Sequence, residues 1–116
     1  MAEYFVKDNH RALLDPSTVL RLTPRSFAFR VHDRSMLGAD IKEGDIIVGE
    51  FTPTARPGAI VVALVDGESV LKRLVNCDDG LRLVSENPDR VDPLPLSELV
   101  IQGLGHTLVR RIKLNS

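Results

Sequence analysis

The chain is a succession of short apolar runs that are rich in valine and isoleucine and separated by glycine, proline and aspartate. Valine and isoleucine favour strands, and closely spaced turn residues are typical of strands joined by short connections. The pattern predicts a mainly β domain with little or no helix. The predicted strand runs are Phe27–Val31, Ile46–Val48, Ile60–Val65, Val70–Val75, Leu81–Val84, Leu99–Ile101 and Thr107–Ile112.

Two turn-forming signals predict local elements. Asp66 and Gly67 stand between two strand runs, and both residue types tolerate the positive φ angles of a two-residue hairpin turn. The segment 15–22 begins with a capping aspartate and a proline, which predicts a short helix that ends before Pro24. Because residues 1–26 are only weakly patterned, we interpret them as an N-terminal arm and residues 27–116 as the folded domain.

Composition and charge exclude several classes of protein. The 116 residues carry a net charge of −1 and are 43% hydrophobic, which is too apolar for a disordered chain. The apolar run 59–65 is too short to span a bilayer, and the N-terminus shows no signal peptide, so we expect a cytoplasmic protein without membrane contact. The single cysteine, Cys77, leaves no intrachain disulfide, and we expect no metal and no cofactor.

Basic side chains are scattered along the chain, so we expect no direct nucleic-acid binding. The one basic cluster lies near the C-terminus and consists of Arg110, Arg111 and Lys113. We interpret this cluster as a solvated strand edge, because nucleic-acid-binding domains usually carry a larger basic excess.

Ser35 and Lys72 are the strongest candidates for chemistry. Ser35 follows the first strand run, where a turn can direct its hydroxyl into a cleft. Lys72 lies on the second arm of the hairpin, and strand alternation places it on one face with Val70 and Leu74. A serine needs a base to become a nucleophile, and an apolar pocket favours the neutral amine that accepts its proton. A solvated lysine and a hydrogen-bonding turn serine remain the alternative interpretation.

A Ser–His–Asp relay is the rival chemistry. His32, Asp33 and Ser35 cannot form one among themselves, since neighbouring strand residues point to opposite faces. His106 or His10 would have to approach Ser35 from elsewhere in the fold. The remaining histidine, cysteine and acidic residues lack the spacing of a zinc or calcium site.

Ordered motifs between residues 27 and 112 resemble the C-terminal peptidase domain of the LexA repressor, the UmuD mutagenesis protein and lambda-type phage repressors. In that family a Ser-Met pair follows a strand, a Gly-Asp turn comes soon after, and an Asp-Gly-Glu hairpin leads to a catalytic lysine. The serine and the lysine are 37 positions apart here, which fits the family. The matching segments are Ser35-Met36, Gly44-Asp45-Ile46-Ile47-Val48, Pro57-Gly58, Asp66-Gly67-Glu68-Ser69-Val70-Leu71-Lys72-Arg73-Leu74, Leu83 with Glu86-Asn87-Pro88, and Ile101-Gln102-Gly103.

The resemblance implies a bent, mostly antiparallel β-sheet domain of the LexA C-terminal type. It implies that Ser35 is the nucleophile, that Lys72 is the general base, and that the backbone N–H groups of Arg34 and Ser35 form the oxyanion hole. It also implies a homodimer formed through the C-terminal part, self-cleavage stimulated by RecA filaments on single-stranded DNA, and a role in the SOS response to DNA damage or in phage regulation. The implied partners are the RecA filament, an error-prone DNA polymerase or a LexA-like protein.

Three departures from the family pattern modify this expectation. Asp33-Arg34 precedes the serine where the family usually has Gly-Asp, and Ala59 follows Gly58 where Asp is common. The sequence contains no Ala-Gly or Cys-Gly bond of the kind that the family cleaves. Only 34 residues precede Ser35, which is too few for a helix-turn-helix domain. We therefore expect a chain most like the processed form of UmuD, with a dyad that acts only in trans or is vestigial.

Two further interpretations stay open. The chain is alternatively a non-enzymatic dimerisation module derived from a phage repressor, with the dyad as a relic. A signal-peptidase-like enzyme shares the Ser–Lys chemistry, but such enzymes need a membrane anchor and none is visible in this sequence.

Overall fold

A computed structural model describes residues 12–89 and 100–115, so that residues 1–11 of the N-terminal arm predicted over residues 1–26, including His10, lie outside the described residues. The described chain forms one short helix, one turn of 3-10 helix and six strands. Their bounds are α1 Pro16–Val19, the 3-10 turn Leu37–Ala39, β1 Ser26–Arg30, β2 Ile46–Phe51, β3 Ile60–Val65, β4 Glu68–Cys77, β5 Gly80–Val84 and β6 Val100–Val109.

All six strands join one antiparallel sheet in the order β1-β2-β6-β3-β4-β5. The prediction of a mainly β domain of the LexA C-terminal type, with little helix, is confirmed. Both sheet faces carry buried clusters, since Val62 and Leu71 pack with Met36 on one side and Val61 packs with Leu74 on the other. A strand that is buried on both faces is apolar at consecutive positions, which explains the continuous apolar run of β3.

The predicted hairpin joins β3 to β4 at Asp66 and Gly67. These two residues have φ angles of 51° and 83°, and they connect the paired residues Val65 and Glu68. Two consecutive positive φ angles are typical of a type I′ turn, whose twist matches that of the flanking strands. The hairpin prediction is confirmed. The turn fixes the register between β3 and β4, which places Lys72 opposite Val61.

The predicted helix is present but shorter than the segment 15–22. Asp15 caps it, because its side-chain oxygen accepts a hydrogen bond from the Ser17 N–H at 3.0 Å. The helix ends at Val19 because Arg21 adopts a left-handed φ of 58°, which turns the chain before Pro24 is reached. No helix in the described ranges is long and apolar enough to cross a membrane.

The prediction of two separate runs near the C-terminus, Leu99–Ile101 and Thr107–Ile112, is wrong. The structure has one strand, β6, that runs through the intervening glycines and ends at Val109. Gly103 and Gly105 do not end the strand, since they lie where neighbouring side chains approach the backbone closely. These glycines are packing sites inside the sheet, a role that strand glycines take when another group must come near.

The packing of Phe27 against Gly103 leads to a stability prediction. In Gly103→Ala the new Cβ atom would overlap the Phe27 ring and lie 3.0 Å from the Glu50 carbonyl oxygen. We expect the free energy of unfolding to fall by about 1–3 kcal/mol, as is usual for overpacking. Urea denaturation measures this loss. Phe27→Leu should recover part of it in the double variant, and strictly additive losses would contradict the proposed contact.

Candidate active site

Ser35 lies in the loop that follows β1, and it is buried, with only 1% of its surface exposed. The next residue, Met36, belongs to a core cluster with Val31 and Ile41, and this packing anchors the loop. The sequence predicted a hydroxyl directed into a cleft. The structure instead buries Ser35 in the interior of the described chain.

Three residues that follow β5, Ser85, Glu86 and Asn87, form what we call the 85–87 segment. This segment pairs with residues 31–36, the loop that contains Ser35 and that we call the serine loop. The joining hydrogen bonds run from the Glu86 N–H to the Ser35 carbonyl (2.8 Å), from Asn87 Nδ2 to the Arg34 carbonyl (2.7 Å) and from the Gly38 N–H to the Glu86 carbonyl. Backbone bonds in both directions fix this segment against the loop on either side of Ser35.

Lys72 lies on β4 and is half-buried. On one side it pairs with Val61 of β3, which is completely buried. On the other side its Nζ atom donates a hydrogen bond to Ser85 Oγ at 2.7 Å. Within residues 12–89 and 100–115 no hydrogen bond joins Lys72 Nζ to Ser35 Oγ.

The 85–87 segment therefore contacts both predicted catalytic residues. Ser85 accepts the Lys72 hydrogen bond, and Glu86, the next residue, donates its N–H to the Ser35 carbonyl. The Glu86 side chain also forms an ion pair with Arg73, which follows Lys72 on β4. The serine loop and the lysine strand are thus held by consecutive residues of one segment.

Sequence reasoning missed Ser85, although a signal for it was present. Arg73 pairs with Val84, and Cys77 pairs with Gly80 across a two-residue turn. Counting from that turn, Ser85 is the residue opposite Lys72 on the neighbouring strand. Residues directly opposite in an antiparallel pair have their side chains on the same face, which brings the hydroxyl to the ammonium group.

The backbone N–H of Ser35, predicted as part of the oxyanion hole, donates a hydrogen bond to Asp33 Oδ1 at 2.9 Å. In this structure the Asp33 carboxylate therefore occupies the N–H group that the prediction assigns to the oxyanion hole. Asp33 stands at the position where the family usually has glycine, which has no side chain to reach this N–H.

The histidines of the alternative relay point to other partners. His32 is exposed, with its ring centre 5.8 Å from that of Phe29. His106 is also exposed, and its Nδ1 atom lies 2.7 Å from Thr107 Oγ1. Neither of these contacts involves Ser35.

Asp45, in the turn before β2, is 3% exposed and forms an ion pair that links this turn to the end of β6. Arg110 donates from Nε to Oδ1 at 2.9 Å and from Nη2 to Oδ2 at 2.7 Å, while the Lys42 N–H donates to Oδ2 at 2.8 Å. The hydrogen bonds from Arg110 are the largest reason that the pKa of Asp45 is lowered to about 2.

This contact corrects the interpretation of the basic C-terminal cluster as a solvated strand edge. Arg110 also donates from Nη2 to the Asp40 carbonyl at 2.9 Å, so its guanidinium binds two residues of the turn that follows the serine loop. Arg111 and Lys113 are exposed, as the sequence predicted. A bidentate guanidinium–carboxylate pair fixes both partners in one geometry, which makes Arg110 part of the support of this region.

Comparison with known proteins adds independent information. The family model described as Peptidase S24-like matches residues 1–105. The LexA repressor of Verrucomicrobium spinosum is 45% identical over 85 residues, which cover 72% of this chain and 42% of that repressor. The LexA repressor of Clostridium novyi is 42% identical over 79 residues, which cover 68% of this chain and 38% of that repressor. The chain spans about two-fifths of the length of these curated relatives.

Proposed function

Since the chain belongs to the Peptidase S24-like family, we propose that it is a LexA-like serine–lysine peptidase-type domain with Ser35 as nucleophile and Lys72 as general base. One observation carries the proposal: the 85–87 segment holds the serine loop through Glu86 and the lysine through Ser85. The Ser35 backbone and the Lys72 side chain, which are 37 positions apart in sequence, are thereby tied to adjacent residues. Ser–Lys catalysis needs a serine and a lysine in one region of the fold, and this arrangement supports the proposal.

The proposed reaction begins with attack of Ser35 Oγ on a peptide carbonyl carbon, while the neutral Lys72 amine takes the hydroxyl proton. The backbone N–H groups of Arg34 and Ser35 hold the oxyanion, once Asp33 has released the Ser35 N–H. The peptide C–N bond then breaks, and the Lys72 ammonium returns its proton to the leaving amine. Water hydrolyses the resulting ester, which frees Ser35 and restores the Lys72 amine.

The biological setting is part of the same proposal and is supported by the family resemblance. We propose a cytoplasmic homodimer that acts in the SOS response to DNA damage or in phage regulation. Its proposed partners are a RecA filament, an error-prone DNA polymerase or a LexA-like protein. The division into an arm over residues 1–26 and a peptidase-type domain over residues 27–116 remains part of the proposal.

Cleavage in trans tests the proposed function. The chain is incubated at alkaline pH with the Verrucomicrobium spinosum LexA repressor, made inactive by replacing its own nucleophilic serine. We expect the wild-type chain to produce two fragments, and mass spectrometry of the fragments identifies the bond. Ser35→Ala should produce none, whereas Ser17→Ala, a change at an exposed serine of α1, should match the wild type. Equal cleavage by the wild type and Ser35→Ala would contradict the assignment of the nucleophile.

One observation favours the second candidate, a non-enzymatic dimerisation module. Lys72 donates to Ser85 rather than to Ser35, and the Ser35 N–H is occupied by Asp33. This alternative predicts a dimer in analytical ultracentrifugation together with no cleavage by the wild-type chain. The trans-cleavage assay therefore distinguishes the two candidates directly.

A further inference from the structure

Ser85 contacts Lys72, and the sequence did not predict this contact. It is the first residue after β5, it is half-buried, and its Oγ atom accepts a hydrogen bond from Lys72 Nζ at 2.7 Å. The contact continues the β4–β5 ladder by one position beyond the Arg73–Val84 pair. The strand register therefore determines this contact, because residues directly opposite in a ladder have neighbouring side chains.

The backbone beside Ser85 is fixed on both sides. Before it, β5 is paired with β4 as far as Val84. After it, Glu86 binds the serine loop through its N–H and its carbonyl, and it binds Arg73 through its carboxylate. A hydroxyl on such a constrained backbone holds its partner in one place more firmly than a hydroxyl on a free loop.

We propose that Ser85 is a positioning residue for Lys72: its hydroxyl oxygen holds one N–H of the lysine side chain beside Glu86, the residue that binds the Ser35 loop. This inference rests on the proposed function, since it assigns Ser85 a task in the same reaction. Ser85 does not itself touch the peptide bond in this scheme.

The chemistry of the amine explains why such a hold matters. A neutral lysine amine has two N–H bonds and one lone pair, and only the lone pair accepts a proton. When Ser85 Oγ takes one N–H, the lone pair is directed away from Ser85 and stays available to the Ser35 hydroxyl. Without that restraint the flexible side chain samples many orientations, and few of them place the lone pair for proton transfer.

The charged side chains near Lys72 do not take the place of Ser85 as its hydrogen-bond acceptor. On β3 the facing residue is the buried, apolar Val61. On β4 the charged neighbour is Arg73, and on the 85–87 segment it is Glu86, and these two form an ion pair with each other. Among the described residues, the Ser85 hydroxyl is thus the group that accepts the hydrogen bond from Lys72 Nζ.

Three variants test the positioning role in the trans-cleavage assay. We expect Ser85→Ala to lower the limiting rate about 10- to 100-fold with little change in KM, because misplacement of a reacting group by about 1 Å has effects of this size. Ser85→Thr, which keeps the hydroxyl, should restore most of the rate. Ser69→Ala, which removes a hydroxyl that binds Gln102, should leave the rate unchanged.

A second readout does not depend on cleavage. In protein labelled with ¹⁵N at lysine Nζ, the Lys72 signal is identified by its absence in Lys72→Met, and we expect it to shift or vanish in Ser85→Ala and to persist in Ser85→Thr. A Lys72 signal that Ser85→Ala leaves unchanged overturns the positioning role. A wild-type chain that cleaves nothing overturns the proposed function instead. Loss of all cleavage in Ser85→Ala, with full cleavage retained in Ser35→Ala, would overturn both by making Ser85 the nucleophile.

Discussion

Replacing Lys72 with methionine is expected to lower the rate of peptide-bond cleavage by at least about 10³-fold, the scale seen when one member of a nucleophile–base unit is removed. Methionine keeps an unbranched apolar side chain of similar length, so it fills the space beside Val61 and Val70. It has no nitrogen that accepts a proton. The Ser35 hydroxyl then remains protonated and is a poor nucleophile.

The measurement is the initial rate of trans cleavage across neutral and alkaline pH, with circular dichroism to show that the variant is folded. Lys42→Met is the matched control, because Lys42 lies on an exposed turn, and it should cleave like the wild type. Lys72→Arg should be as inactive as Lys72→Met, since a guanidinium does not lose its proton in proteins. The double variant of Ser35→Ala with Lys72→Met should be no slower than either single variant, because the two residues act as one unit. A folded Lys72→Met chain that keeps more than about a tenth of the activity would exclude Lys72 as the base.

Much of the sheet follows from local chemistry. The β3–β4 hairpin is predictable because Asp66 and Gly67 tolerate positive φ angles, and turn geometry then sets the register of the strands on either side. Strand β6 was not predictable as one element because its glycines look like strand breaks. Their role depends on the Phe27 ring, which reaches Gly103 from a strand more than seventy residues earlier in the chain.

The candidate site likewise combines features that the sequence predicts with features that it does not predict. Ser35 and Lys72 could be predicted as site residues because motif and spacing are readable along the chain. The contacts that decide what these residues do were not found, since they depend on how distant segments meet. Ser85 meets Lys72 only when the β4–β5 register is known, and the Glu86 contact to Ser35 joins segments about fifty positions apart.

The Asp45–Arg110 ion pair was invisible in the sequence for the same reason, and it leads to the second large effect. The folded-state pKa of Asp45 is about 2, below the ordinary value of 3.8, so folding favours the charged carboxylate. The stabilisation is fully present above the unfolded-state value and is lost as the pH falls from near 4 toward 2. The difference between the two pKa values corresponds to about 2 kcal/mol of unfolding free energy.

We expect Asp45→Asn to lower the free energy of unfolding at neutral pH by about 2–4 kcal/mol, because Arg110 keeps its charge and loses a buried anionic partner. The loss should stay below the upper end reported for fully buried pairs, since the Arg110 side chain is 30% exposed and water partly solvates it. Urea denaturation between pH 2 and pH 7 measures the effect. Arg111→Ala is the control for removing an exposed arginine, and it should be nearly neutral.

The pH dependence separates the ion pair from a general packing defect. The wild-type chain should lose its advantage over Asp45→Asn as the pH falls through the range in which the Asp45 carboxylate is protonated, so the two stability curves converge near pH 2. A packing defect would instead keep the curves parallel at every pH. Parallel curves would show that the charge of Asp45 does not carry the stabilisation. Converging curves would mean that the turn after the serine loop is held to the end of β6 by an interaction that acid removes.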